Sequence, residues 1–230
     1  MGLAVADELT RRGMEIEVFE RNPSVASEAS AAAAGILDPC GEAEGSGPFL
    51  ELLKAGYALF ADTVRRLETA SGLDLGYRVC GMLALARTDE ESENLEREFS
   101  WQSKAGVAVE RLDPPAIRKA EPAVDGAARC GLWRPQVAQI DVTRMGPAYE
   151  RVVELQGGII HRGRPVRRFL VEENRVIGVE TSKGKVHAYW VINTAGAWGG
   201  LDPFLPWEIP CLPVRGQILQ FVTQQPLVER

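Results

Sequence analysis

The sequence predicts an α/β chain: an incomplete doubly wound domain joined to an α+β domain built on antiparallel strands. Three observations predict it. A helix followed by a strand opens the chain, which is half of a βαβ unit; Val/Ile-rich runs separated by turn residues fill 165–194; and a separate set of strand and helix signals occupies 77–140.

The elements follow in order. Residues 3–12 are rich in Ala, Leu and Arg and read as a helix, with Gly13 placed where a left-handed residue closes one. Residues 15–20 alternate polar and apolar side chains, as a short strand does, and end in Glu20-Arg21 before a turn at Asn22-Pro23. After a Ser/Ala-rich segment over 24–37 and a Gly-rich loop, the spacing of Leu52, Leu53, Tyr57, Phe60, Val64 and Leu67 predicts an amphipathic helix over 49–71. Residues 77–87 read as a strand and 90–104 as a helix. Asp113-Pro114 reads as an N-cap followed by Pro at the first helical position, and 142–156 as another helix. Turn signals at Glu173-Asn174 and Lys183-Gly184 divide 165–194 into a three-stranded antiparallel meander. Its third run, 189–193, leads into a small-residue turn over 194–200, and 212–222 reads as a final β run carrying Arg215.

Composition bounds the function. With 230 residues, 45% hydrophobic and 25% charged, the chain can bury a sizeable core in one or two domains. The net charge of -6 is mixed in sign along the chain, with no Lys/Arg-rich run, so nucleic acid and anionic lipid are not expected partners. No apolar run is long enough to span a bilayer, and Asp7 and Glu8 stand where a signal peptide would be apolar, so a cytoplasmic location is expected. Cys40, Cys80, Cys130 and Cys211 form no C-x-x-C pair and read as reduced, mostly buried thiols. His161 and His187 fall on strand-like segments without an acidic or Cys neighbour at ligand or triad spacing; neither a metal site nor a His-dependent hydrolase is expected.

The residues that point to chemistry are small ones at turns. The dinucleotide-binding pattern G-x-G-x-x-G requires a strand before it, a helix after it and an acid about 20 residues on. Gly2, Ala6 and Glu20 match its third glycine, its small helix-packing residue and its strand-terminal acid, although Glu20 alone also reads as an ordinary surface carboxylate. The run from Ser27 through Ser30, Ala34, Gly35 and Ile36 to Leu37 keeps side chains small, so backbone N–H groups can meet a phosphate, and Ser30 adds a hydroxyl donor. An Ala-rich stretch by itself also reads as packed helix.

Taken in order, Gly2, Glu20-Arg21, the 27–37 loop, Val166, the strand-turn over 191–198 and the L-P-V-R-G-Q of 212–217 resemble the D-amino-acid oxidase family of FAD-dependent oxidoreductases, over essentially the whole chain. The Ala-Ala-Gly-Ile-Leu form of the loop is most similar to the glycine oxidase branch, which serves thiamine biosynthesis; sarcosine oxidase and D-amino-acid dehydrogenase relatives share most of these features. The resemblance implies interleaved domains, 1–76 with 141–206 as a truncated FAD-binding domain lacking its first strand and 77–140 with 207–230 as a truncated substrate domain. It implies FAD as cofactor, held in the Rossmann-like domain by Gly2, Glu20, Arg21, Ser30, Ala34, Gly35, Ile36, Val166, Ala195, Gly196 and Trp198. It implies a small amine or amino-acid substrate whose Cα hydride passes to flavin N5. The arginine that holds the substrate carboxylate is implied to lie beyond Arg230, so no residue here is expected to be catalytic, and the chain is expected to be an inactive fragment. Arg215 reads instead as a structural ion-pair partner, and self-association into a homo-oligomer stays open. Two other readings stand beside the enzyme: a catalytically dead flavin- or nucleotide-binding module, such as one half of a split protein, and an NAD(P)-dependent dehydrogenase.

Overall fold

The computed structural model describes residues 1–124, 126–200, 210, 211, 213–219, 222 and 224. Helix α1 (Gly2–Arg11) leads into strand β1 (Glu17–Phe19), and β2 (Ile36–Leu37) precedes the long α2 (Pro48–Ser71). Then come β3 (Arg78–Val79), β4 (Met82–Ala86), α3 (Asp89–Lys104), β5 (Glu110–Leu112) and α4 (Pro114–Ala120). Strands β6 (Cys130–Arg134) and β7 (Ala138–Gln139), helix α5 (Val142–Leu155) and strand β8 (Ile159–His161) follow. Strands β9 (Val166–Glu172), β10 (Arg175–Thr181) and β11 (Gly184–His187) precede a short 3-10 turn (Gly196–Trp198). These elements gather into two compact units, one of residues 1–33, 67–74 and 142–218, the other of 34–66, 75–141 and 219–230.

In the first unit, β1 and β8 pair in parallel, Val18 opposite Ile160, with α1 and α5 as the helices of the unit. Ala6, Val153 and Ile160 form the buried centre, and Leu3, Ile16, Val18 and Val25 pack around it. A buried carboxylate would weaken this core unless it were hydrogen bonded. Asp7, 2% exposed, accepts from the Gln156 amide at 3.2 Å, and Thr10 donates to the same Gln156 at 2.6 Å, so α1 and α5 are locked in register. Gly13 closes α1 at φ +79, as expected for a C′ glycine.

The meander forms as β9–β10–β11, antiparallel throughout. Glu173 and Asn174 both take positive φ, +47 and +62, the pairing that a two-residue hairpin turn with right-handed strand twist requires. At the second turn Thr181 Oγ1 accepts from the Lys183 N–H and donates to the Gly184 carbonyl. The third strand, however, is Gly184–His187 and not the apolar run 189–193. That run has no strand pairing among the described residues; Tyr189 and Trp190 are 86% and 80% exposed, so its apolar composition records no ladder here. The predicted run 212–222 lies partly outside the described residues. Those that are described, 213–219 and 222, are in no strand, and Arg215 is exposed with no ion pair among the described residues.

The second unit has two small antiparallel sheets, β2–β7–β3 and β4–β6–β5. The strand expected over 77–87 is two strands in different sheets, and Gly81 is the reason. It sits at φ +73, where a side chain is strained, and a Cβ there would meet the Trp133 ring at 1.9 Å, so the chain breaks its ladder and passes under the indole. In α2 the buried stripe runs through Leu50 and Val64, while Leu52 is 68% exposed: two residues from Leu50, it is turned some 200° around the helix. Thr88 caps α3 in a reciprocal capping box with Glu91, whose carboxyl is held below its usual range by the Arg87 and Thr88 N–H groups. Asp113 caps α4 by accepting from the Ala116 N–H at 2.8 Å.

Arg134 on β6 ends in a buried polar network. Its guanidinium meets Asp38 at 3.3 Å, the Gln102 side-chain oxygen at 3.2 Å and Glu98, while the Cys40 N–H and thiol both donate to Asp38. Burial, reinforced by the Asp38 charge, pushes the Cys40 thiol up to about 12. All four cysteines are unpaired; Cys40 is buried, and Cys80, Cys130 and Cys211 are half-buried rather than enclosed.

Candidate functional site

Helix α1 begins with Gly2, and the next chain segment is close enough to show why. A Cβ on Gly2 would lie 2.6 Å from the Thr194 hydroxyl, so the bare glycine lets the start of the helix meet the segment that opens the 194–200 turn. The N-cap residue Met1 offers no side-chain acceptor to the first-turn N–H groups, and that turn carries no acidic residue. Those donors, with the positive end of the helix dipole, favour an anion there.

Glu20 follows β1 directly. Its N–H continues the pairing by donating to the His161 carbonyl at 2.9 Å, and its carbonyl accepts from the Arg164 N–H at 2.8 Å. Its carboxylate accepts from the Asn22 N–H at 2.8 Å, which turns it back over the strand end. The Asn22 carbonyl in turn accepts from the Gly163 N–H, so the connection leading to Val166 is fastened beside Glu20. Val166 opens β9 opposite Thr181 and is 40% exposed.

Arg21 is held on two sides. Its guanidinium donates to both oxygens of Glu28, at 2.5 and 2.6 Å, and lies 3.7 Å from the centre of the Trp198 ring. The Glu28 carboxyl is held below its usual range by its hydrogen bonds with Arg21 and Asn22. Trp198 belongs to the 3-10 turn that also contains Gly196, at φ +57, with Ala195 at its start. Gly2, Glu20, Arg21, Val166, Ala195, Gly196 and Trp198 therefore all fall in the first unit. Ser30, also in this unit, is exposed in a turn that begins where the Glu28 carbonyl accepts from Ala31 and Ala32. This stretch is turn and not packed helix.

The remaining three sit in the second unit. Ala34 is exposed; Gly35, buried at φ +73, accepts from the Ile140 N–H at 2.9 Å; Ile36 pairs with Gln139 and keeps 55% of its surface exposed. Sequence reasoning missed Thr194, Glu28 and the pair of His161 with Glu17. The His161 Nε2 lies 2.6 Å from the Glu17 carboxylate, with its ring stacked on Phe19 at 4.8 Å, because β1 and β8 are neighbours; no local spacing shows that. Glu28 had a signal, an acid seven residues after Arg21 within one loop.

The first-unit residues fit the adenosine diphosphate half of FAD. A strand-end carboxylate suits a ribose diol, uncapped helix N–H groups suit a pyrophosphate, and the small residues beside Trp198 leave backbone open. Over 221 residues the chain is 31% identical to the bifunctional protein ThiO/ThiG of Nostoc sp., covering 96% of this chain and 32% of that one. It is 25% identical to the glycine oxidase of Geobacillus kaustophilus, covering 100% and 61%. The solved glycine oxidase of Bacillus cereus superposes with a TM-score of 0.80 at 29% identity, over 87% of this chain and 54% of that one. The chain thus spans between about a third and two thirds of the length of these relatives. The family model for FAD dependent oxidoreductases, DAO, matches residues 1–229, and the chain belongs to that family.

Proposed function

We propose that this chain supplies the adenosine diphosphate-holding part of the FAD site in an enzyme of the glycine oxidase kind, one that oxidises a small amino acid or secondary amine. The observation that carries the proposal is the meeting, in one compact unit, of the Gly2 helix start with Thr194 and of Arg21, next to the strand-end Glu20, with Trp198. When bound, FAD supplies the acceptor for the hydride of the substrate Cα. The protein's part is to hold and orient. Glu20 accepts the two ribose hydroxyls, the first-turn N–H groups of α1 and the Ser30 hydroxyl neutralise the pyrophosphate, and the backbone of Val166 meets the adenine. Ala195 and Gly196 let the backbone lie close to the nucleotide; in the second unit, the small side chains of Ala34 and Gly35, with Ile36, leave the backbone of their own loop open to a cofactor. For the domains we keep 1–76 with 141–206 as the FAD side and 77–140 with 207–230 as the substrate side. The packing boundaries at 74/75 and 141/142 support the two inner limits, although 34–66 counts with the second unit and 207–218 with the first.

Calorimetric titration of FAD and ADP into the protein and into Glu20→Ala tests this. Losing two charge-assisted hydrogen bonds costs about 2–4 kcal/mol, so the variant should bind both ligands at least about 30-fold more weakly. Equal binding by the two proteins refutes the site. Peroxide release with glycine, sarcosine and D-alanine is read on the same preparation: none is expected from this chain, and amine oxidation by the FAD-bound protein overturns the expectation of an inactive fragment and excludes the bare nucleotide-binding module.

A further inference from the structure

Glu28 has no place among the proposed ligand contacts, yet the polar contacts around them converge on it. Its carboxylate receives Arg21 through both oxygens and the Asn22 side-chain amide at 2.9 Å. Arg21, so held, stacks on Trp198, and the Asn22 backbone N–H is the donor that orients the Glu20 carboxylate. An exposed ion pair alone contributes little, because two long side chains must be ordered to make it. Here the guanidinium has its edge on a carboxylate and its face on an indole, which leaves it one orientation.

Resting on the FAD-site reading above, we propose that Glu28 is a positioning residue: by holding Arg21 against Trp198 and Asn22 beside Glu20, it sets the Glu20 carboxylate and the 195–198 turn in place before the nucleotide arrives. Arg21 then acts through its stack and not as a free cation for a phosphate. Preorganisation of this kind raises affinity by removing ordering costs from the binding step.

The test titrates FAD and ADP into the wild type, Glu28→Ala, Glu28→Gln, Glu20→Ala and the Arg21→Ala/Asn22→Ala double variant with and without Glu28→Ala. Glu28→Ala should weaken both ligands about tenfold, and Glu28→Gln, which keeps an oxygen acceptor, should recover about half of that loss on a logarithmic scale. In the double-variant background Glu28→Ala should change affinity by less than about twofold, because the groups it positions are gone. A merely structural residue would show the same loss in both backgrounds. Melting temperatures read in parallel correct for any unfolded fraction, and if Glu28→Ala does not fold, Glu28→Gln in both backgrounds carries the same comparison. Weakened binding by Glu20→Ala with unchanged binding by Glu28→Ala overturns the positioning role alone. Unchanged binding by both removes the site itself, and this proposal with it.

Discussion

Replacing Arg134 by Met should destabilise the second unit by about 3–5 kcal/mol, the usual cost of removing one partner of a buried ion pair. The magnitude follows from what the guanidinium leaves behind. The Asp38 and Arg134 side chains are only 7% and 9% exposed, so the carboxylate stays buried without its cation, and Gln102, 2% exposed, loses the donor at 3.2 Å. Two features hold the cost below the sum of these losses: the Cys40 N–H at 3.0 Å still donates to Asp38, and Glu98 is 41% exposed and can turn to water. For a chain of this size the loss corresponds to a fall in melting temperature of about 6–20 °C. Urea denaturation, followed by the tryptophan signal and by circular dichroism, measures it. The Asp38→Leu/Arg134→Met double variant, which removes both charges, should recover most of the lost stability. A loss below about 1 kcal/mol for Arg134→Met, or a double variant less stable than either single one, would refute the view of a buried pair whose charges require each other.

Three further outcomes follow from features of the same unit. Gly81→Ala should cost at least about 3 kcal/mol, since it combines a strained positive φ with a Cβ driven into the Trp133 ring at 1.9 Å; thermal unfolding reads it. Thr88→Ala should cost about 1 kcal/mol through the lost cap on α3, seen as a shift in urea midpoint with an unchanged slope. The Cys40 thiol, raised from 9.0 to about 12, binds its proton more tightly folded than unfolded, so its contribution is complete below pH 9 and is lost as pH rises towards 12. Cys40→Ala should flatten that part of the stability profile, and in the native wild type iodoacetamide should label Cys40 last of the four cysteines.

The elements legible in the sequence are those whose cause is local. The apolar spacing from Leu52 to Leu67 marked α2 to within a residue of its observed limits although Leu52 itself is exposed, Asp113-Pro114 marked the start of α4, and Glu173-Asn174 marked a turn that does take two positive φ values. Strands β2 and β7 were not legible, because two residues carry no period and their pairing is made entirely by partners far along the chain; β3 was read only as part of one longer strand with β4. Residues 189–193 were misread for the converse reason: a β-rich composition describes a preference, and pairing needs a neighbour. At the candidate site, residue type and order single out Gly2, Glu20 and the 194–200 turn. That Gly2 faces Thr194, and that Arg21 is occupied by Glu28 and Trp198, depends on side-chain contacts that no spacing encodes.

The parallel pairing of β1 with β8 also has a consequence for biosynthesis. Glu17 and His161 meet across it although 144 residues separate them, and at roughly 5–20 residues per second a ribosome takes on the order of ten seconds to make that stretch. During that interval Leu3, Ile16 and Val18 have emerged but Val153 and Ile160 do not yet exist to cover them. The segment 75–141, which supplies both antiparallel sheets of the second unit save β2, is contiguous and can begin to close while α1 and β1 still wait. Until β8 has left the exit tunnel these apolar side chains stay uncovered, so limited proteolysis of ribosome-bound chains should cut within 1–20 before that point and spare it afterwards.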